Sequence, residues 1–303
     1  MDVQIYVQTE TALSGCNGNN FTIADLTAYS MWVYSKPLLE IPKLTIGQYG
    51  LLFSVIDGDG GGGINISKFV AIVLPSLLLQ MQLNPLFDVI PIYEYLRVSI
   101  EQLNTCINNK LNLQDIWEPG WLSPALTSAI IKDDMMYFAQ IGDSRAYLIR
   151  NNSIYQITKD QTLVRQLMDD GQISEDEAKT HTYRNVILQA LGATPTINVI
   201  ISGLKIVNGD IILLCTKEVV SRIELNDVKN IVINSRDKPQ LICDKLIKVA
   251  LSEPSLNMTV MLIELQQKKL NQQIFDQMIY FPVIERDQNI PDEMLEGLFD
   301  FNT

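Results

Sequence analysis

Cysteine and histidine are scarce in this sequence, and long hydrophobic runs are missing. The four cysteines (Cys16, Cys106, Cys215 and Cys243) are scattered without the spacing of a metal site. The last three lie in apolar contexts, so we expect reduced core thiols, which favours the cytoplasm. No apolar run reaches the roughly 18 residues that a membrane span needs. The first residues lack the basic and apolar regions of a secretory signal, so we expect none.

Positive charge is also scarce. The 23 Lys and Arg residues are outnumbered by 35 Asp and Glu, which leaves a formal net charge of −12. This charge argues against a nucleic-acid surface and against an anionic membrane as partners. The hydrophobic content of 47% and the charged content of 19% are typical of globular proteins. A chain of 303 residues can form one large domain, or a domain with an appendage.

One stretch near the middle of the chain combines buried-strand and turn patterns. The apolar run Met135–Ile141 predicts a buried strand, Gly142-Asp143-Ser144 is typical of a turn, and Ala146–Ile149 predicts a second strand. We therefore expect a tight hairpin with one carboxylate at its tip. Asp143 could face a cation there, or it could cap its own turn.

The letters of this stretch, GDSRAYL at 142–148, resemble the signature of the bacterial type 2C metal-dependent Ser/Thr protein phosphatases. Three further segments are similar to motifs of that family in order and spacing. They are QITKDQTLV at 156–164, the segment 173–192 that begins ISEDEA, and NGDIILLC at 208–215. The resemblance extends from about Leu51 to Leu265.

The resemblance implies an α+β fold, a four-layer α-β-β-α sandwich of two antiparallel sheets flanked by helices. The phosphatase-like domain would cover 1–265, with a small flap insert at about 160–190, and 266–303 would be a C-terminal extension. The nearly continuous apolar stretch Phe69–Gln82 predicts a buried helix, and apolar residues at helical spacing predict an amphipathic helix at Ile92–Leu111. His181, the single histidine, is expected to order the flap.

The resemblance also implies two divalent cations that share a hydroxide, held mainly by carboxylates. Asp57 matches a carboxylate that bridges the cations, and Gly58 matches a residue whose carbonyl binds one of them. Asp143 matches a ligand of a looser third cation in bacterial members. These three are the vestigial metal positions in this chain.

Other positions depart from the family pattern. One carboxylate position falls on Asn19 or Asn20, another on Lys217 and another on Leu256, and the general-acid histidine falls on Gly62. A leucine has no ligand atom, and an ammonium group repels a cation beside it. We therefore expect Lys217 to replace a metal and to neutralise Asp57.

These substitutions favour a catalytically inactive member of the family that serves as a protein-binding, regulatory or scaffold subunit. On this hypothesis no catalytic residue, metal or other cofactor is expected, and Asp57, Asp59 and Asp143 are only weak metal candidates. One alternative is an atypical metal-dependent phosphoserine/phosphothreonine phosphatase. It would hold a displaced Mn or Mg site with Asp57, Asp59, Asp143 and Glu218. Another alternative is a sensor that binds a small ligand in the vacated cleft.

The end of the chain is acidic and carries apolar residues at helical spacing. Leu295, Leu298, Phe299 and Phe301 could form the apolar side of a short helix that docks into a groove of a protein partner. Packing on its own domain or a disordered end are the other interpretations. The oligomeric state is not predicted.

Overall fold

The structure is a computed structural model, and it describes residues 1–10, 19–34, 43–58, 66–81, 89–113, 123–251, 257–266 and 283–284. The strands are β1 (Asp2–Glu10), β2 (Asn20–Asp25), β3 (Ser30–Tyr34), β4 (Leu44–Thr45), β5 (Leu51–Asp57), β6 (Ala125–Lys132), β7 (Met135–Ile141), β8 (Arg145–Arg150), β9 (Ser153–Gln156), β10 (Ile200–Lys205), β11 (Ile211–Cys215), β12 (Met258–Gln266) and β13 (Val283–Ile284). The helices are α1 (Ile66–Met81), α2 (Ile92–Leu113), α3 (Leu163–Asp169), α4 (Glu175–Thr180), α5 (Lys217–Val220), α6 (Leu225–Asn234) and α7 (Pro239–Ala250).

The strands form two antiparallel sheets. Sheet A has the order β4-β1-β12-β11-β8-β9, and sheet B has the order β13-β10-β7-β6-β5-β2-β3. Apolar residues, many of them Val, Ile and Phe with high β propensity, fill the central strands, which are buried on both faces. The expected two-sheet α+β sandwich is confirmed.

Strand alternation assigns the buried side chains to three apolar layers. Leu51, Phe53 and Val55 of β5 point between the sheets, where they pack with residues of sheet A such as Ile212 and Met261. The outer face of sheet B is covered by α1 and α2. The outer face of sheet A is covered by α5, α6 and α7. These layers stack as helices, sheet B, sheet A and helices.

The central stretch is not the hairpin that we expected. β7 pairs with β6 and β10 in sheet B, whereas β8 pairs with β9 and β11 in sheet A. The turn Gly142-Asp143-Ser144 therefore carries the chain from one sheet to the other. Gly142 has φ +92, and a Cβ there would lie 2.6 Å from the Ala125 Cβ, so this crossing depends on glycine.

The flap insert begins after β9 and contains two short helices. Thr162 accepts a bond from the Arg165 amide at the start of α3, and Ser174 forms a capping box with Glu177 at the start of α4. Backbone bonds between 161–163 and 186–188 close the insert at its base. The insert is thus a compact unit attached beside the crossing turn.

Two further expectations concern exposure and membranes. Cys215 and Cys243 are buried as expected, but Cys106 is exposed on α2, because its position on the helix turns it away from the stripe that packs on sheet B. None of the helices in the described ranges combines the length and apolarity that crossing a bilayer requires.

Candidate active site

Five chain segments meet at one end of the sandwich. β2 begins and β5 ends there as neighbours, with Asn20 opposite Ile56. In sheet A, Cys215 at the end of β11 lies opposite Arg145 at the start of β8 and opposite Val260 near the start of β12. The crossing turn from β7 to β8 joins the two sheets at this end. The motif positions, although far apart in sequence, are therefore gathered in one region.

Asn19 and Asp57 continue the rows of side chains that point between the sheets, because each follows its strand's alternation. The Gly58 amide donates a hydrogen bond to Asn19 Oδ1 at 3.2 Å. Asn20 points away, and its Nδ2 donates to Ser67 Oγ of α1 at 2.7 Å. Of the two asparagines that the sequence offered for one carboxylate position, Asn19 is the one beside Asp57 and Gly58.

Lys217 contacts a different carboxylate from the one we expected. Its Nζ lies 2.8 Å from Asp143 Oδ2, with side-chain exposures of 16% for the lysine and 4% for the aspartate. The expectation that Lys217 neutralises Asp57 was wrong, because the crossing turn brings Asp143 to the end of β11. Asp143 thus faces a cation, and that cation is an ammonium group of the same chain.

Gln140 and Gln161 hold the crossing turn in place. Gln161 Oε1 accepts a bond from the backbone N–H of Gly142 at 2.7 Å. The backbone N–H of Gln161 in turn donates to the Gly142 carbonyl at 2.9 Å. Gln140 Nε2 donates to the Ser144 carbonyl at 3.0 Å, and Gln140 Oε1 accepts from the Lys159 amide. The sequence patterns assign no role to either glutamine, although Gln161 lies inside a motif segment and Gln140 inside the strand that precedes one.

Arg145 forms a second support behind the turn. Its guanidinium makes a bidentate pair with Asp160, with a shortest distance of 2.6 Å, and it also donates to the Tyr147 hydroxyl. Burial alone would lower the pKa of Arg145, but Tyr147 and Asp160 outweigh burial and raise it. The arginine is therefore permanently charged and fixed in position. Sequence reasoning did not assign this role either.

The thiol of Cys215 at the end of β11 is fully buried. Burial raises its pKa most, Arg145 lowers it, and Glu218, Asp160 and Asp57 raise it, which gives a value of about 12. Glu218 Oε2 is buried and makes no hydrogen bond within the described part of the chain.

The flap segment next to Lys217 is polar at its start and apolar at its end. His181 follows α4, and its Nδ1 accepts a bond from the Tyr183 amide at 3.2 Å. Lys217 Nζ donates to the carbonyl of Arg184 at 3.3 Å. Val186, Ile187 and Leu188 follow with exposed side chains.

Comparisons with known proteins agree with this geometry. The family model "Protein phosphatase 2C" matches residues 59–167. The serine/threonine phosphatase stp of Listeria welshimeri is 28% identical over 212 residues, which are 69% of this chain and 83% of that protein. The structure of the Streptococcus agalactiae serine/threonine phosphatase has a TM-score of 0.71 and 21% identity, over 87% of this chain and all of the other. Residues 59–167 are thus similar in sequence to the protein phosphatase 2C family, and most of the chain shares the fold of the solved phosphatase.

These relatives overturn the main functional expectation. We expected an inactive binding or scaffold subunit, but the similar proteins are named as Ser/Thr phosphatases, which favours the alternative of an atypical phosphatase. The expectation of no cofactor is corrected as well. The catalytic domain of the phosphatase PstP, with a TM-score of 0.62 and 20% identity over 88% of this chain and 99% of that chain, was solved in complex with two manganese ions.

The described residues do not reproduce a carboxylate set for two cations. Asp57 is present, but Asn19 offers only a neutral oxygen, and Lys217 adds a positive charge. No group of three Asp, Glu, His or Cys side chains in the described ranges could hold a metal ion. Asp59, Gly62, Leu256 and the apolar residues of the tail lie outside the described residues. The usual two-cation arrangement therefore does not fit the residues of this site that the structure describes.

Proposed function

We propose that the protein is an atypical metal-dependent phosphatase that acts on phosphoserine and phosphothreonine of proteins. The observation that carries this proposal is the gathering of the family's motif positions, with Asp57 retained, at one end of the sandwich. The naming of the relatives as Ser/Thr phosphatases supports the same reaction class.

The cation site of this enzyme is displaced from the family arrangement. Asp57 and Glu218 are its proposed ligands among the described residues, because Asp57 is the retained carboxylate and Glu218, next to Lys217, has a buried oxygen without a hydrogen bond. A buried carboxylate oxygen without a donor is costly, and a cation would offset that cost. Asp59, two residues after Asp57, is the third candidate.

The remaining parts of the chain have proposed roles around this site. The domain of 1–265 carries the reaction, and the flap borders the site through the contact between Lys217 and the Arg184 carbonyl. The extension of 266–303 provides a docking segment for a protein partner through Leu295, Leu298, Phe299 and Phe301. The cytoplasm, where phosphoproteins and reduced thiols both occur, is the proposed location.

Hydrolysis of p-nitrophenyl phosphate at millimolar Mn²⁺ tests the proposal, with Asp57→Ala as the control. We expect turnover that needs the cation and is lost in Asp57→Ala. Glu218→Gln keeps the size of the side chain and is expected to raise the Mn²⁺ concentration needed for half-maximal turnover. Turnover of the unaltered protein that does not exceed that of Asp57→Ala at any Mn²⁺ concentration would refute the proposed function.

A further inference from the structure

The Lys217–Asp143 pair joins two elements that belong to different sheets. Asp143 lies in the crossing turn after β7 of sheet B, and Lys217 begins α5 directly after β11 of sheet A. The residues are 74 positions apart in sequence, and the Asp143 side chain is buried whereas that of Lys217 is partly buried. A carboxylate in such surroundings needs a positive partner, because its hydration has been lost.

The position of the ammonium group is set by the backbone on both sides. Thr216, just before Lys217, donates its amide to the Thr259 carbonyl at 3.1 Å, and its Oγ1 accepts from the Thr259 amide. On the other side, Gln140 and Gln161 fix the crossing turn that carries Asp143. The lysine therefore reaches Asp143 from a rigid strand end.

The oxygen atoms around Lys217 Nζ are of the kinds that hard cations bind. One is a carboxylate oxygen of Asp143 at 2.8 Å, and the other is the backbone carbonyl oxygen of Arg184 at 3.3 Å. Carboxylate and carbonyl oxygens are the main protein ligands of Ca²⁺ and similar ions. The ammonium group thus takes the place that such an ion would take between the turn and the flap.

We propose that Lys217 is a tethered cation that permanently occupies the Asp143 position, so that Asp143 binds no divalent ion in the intact protein. The inference rests on the proposed phosphatase function and refines its site. It concerns Asp143 alone, and a cation held by Asp57 is compatible with it. It also explains how the flap stays attached at Arg184 without a metal ion at this point.

Binding of Mn²⁺ to the full chain, followed through the electron paramagnetic resonance signal of the free ion, tests the proposal. Lys217→Met removes the charge and keeps the length of the side chain. An ammonium group within about 6 Å of a divalent ion weakens binding by roughly tenfold even in water, so we expect Lys217→Met to bind Mn²⁺ about tenfold more tightly. Lys217→Arg, which keeps the charge, should bind like the unaltered protein.

Two controls make the result specific. Lys205→Met removes the lysine of an equally short pair, 2.7 Å from Asp134, whose side chains are 70% and 56% exposed, and it should leave Mn²⁺ affinity unchanged. Asp143→Asn should also leave the affinity of the otherwise unaltered protein unchanged, but it should abolish the gain of Lys217→Met when the two are combined.

Either of two results would overturn the proposal. One is weaker Mn²⁺ binding in Asp143→Asn, which would show that Asp143 already holds the ion. The other is equal affinity in Lys217→Met and Lys205→Met. If Lys217→Met does not fold, the single variants Asp143→Asn and Lys217→Arg still decide the matter. These outcomes concern ion binding, so a failure of the phosphatase assay would refute only the proposed function.

Discussion

The contribution of the Lys217–Asp143 pair to stability can be worked out from its burial. Removing one member of a buried ion pair costs about 3–5 kcal/mol, because the other charge is left without a partner. Asp143 is 4% exposed and Lys217 is 16% exposed, so the pair is close to that case. We expect Lys217→Met to lower the free energy of unfolding by about 3 kcal/mol.

The double variant separates the interaction from the other effects of each substitution. Asp143→Asn leaves the ammonium group with the Arg184 carbonyl and some solvent, so we expect a smaller loss, about 1–2 kcal/mol. Combined with Lys217→Met, it leaves no buried charge. The losses should therefore fall short of additivity by about 2 kcal/mol.

Urea denaturation with a chelator present is the appropriate assay, because a bound cation would add its own stabilisation. The exposed Lys205–Asp134 pair provides the reference cycle, for which we expect a coupling below about 1 kcal/mol. Losses at Lys217 and Asp143 that add within about 0.5 kcal/mol would refute the assignment of a buried, energetically important pair.

Three other predictions follow from local features. Gly142→Ala should destabilise the protein by about 2 kcal/mol or more, because the position combines a positive φ with a close contact to Ala125. Gly171→Ala, at φ +68 with nothing within 4 Å, should cost only about 1 kcal/mol. Equal losses of stability in thermal denaturation would contradict this difference. Iodoacetamide at pH 8 should label the exposed Cys106 well before Cys215, whose pKa is raised to about 12 by burial, and peptide mapping that finds similar rates would count against the buried position. The capping bonds lower the pKa of Glu177, so its contribution to α4 should be present above the ordinary glutamate pKa and be lost as the pH falls through the lowered value; an NMR titration that gives an ordinary pKa would disprove the capping box in solution.

Local sequence patterns predicted the elements better than they predicted the connections between them. The capping box at Ser174 and the strand at Met258–Leu265 follow from short-range chemistry, and the structure has both, with β12 ending at Gln266. The turn residues at Gly142 predict a hairpin, but the structure has a crossing between sheets, because the same turn residues serve both connections. Which sheet a strand joins depends on partners far away in sequence, and no local signal contains that information.

For the site as well, the sequence predicted which positions belong together better than it predicted the contacts between them. The resemblance identified Asp57, Asp143 and Lys217 as positions of one site, and their strands do meet at one end of the sandwich. It did not reveal which carboxylate Lys217 contacts, because that choice depends on the path of the crossing turn. The supporting roles of Gln140 and Gln161 were missed for the same reason, since their bonds are made to backbone atoms that only the fold brings near.

The most direct test of the proposed phosphatase function is the turnover of a phosphothreonine peptide at saturating Mn²⁺ by the unaltered protein and by Asp57→Asn. We expect phosphate release by the unaltered protein and a kcat/KM at least about 100-fold lower for the variant, because Asp57 is the retained carboxylate of the site. Equal values for the two proteins, or no release above the peptide alone, would contradict the assignment of this chain as a metal-dependent phosphatase.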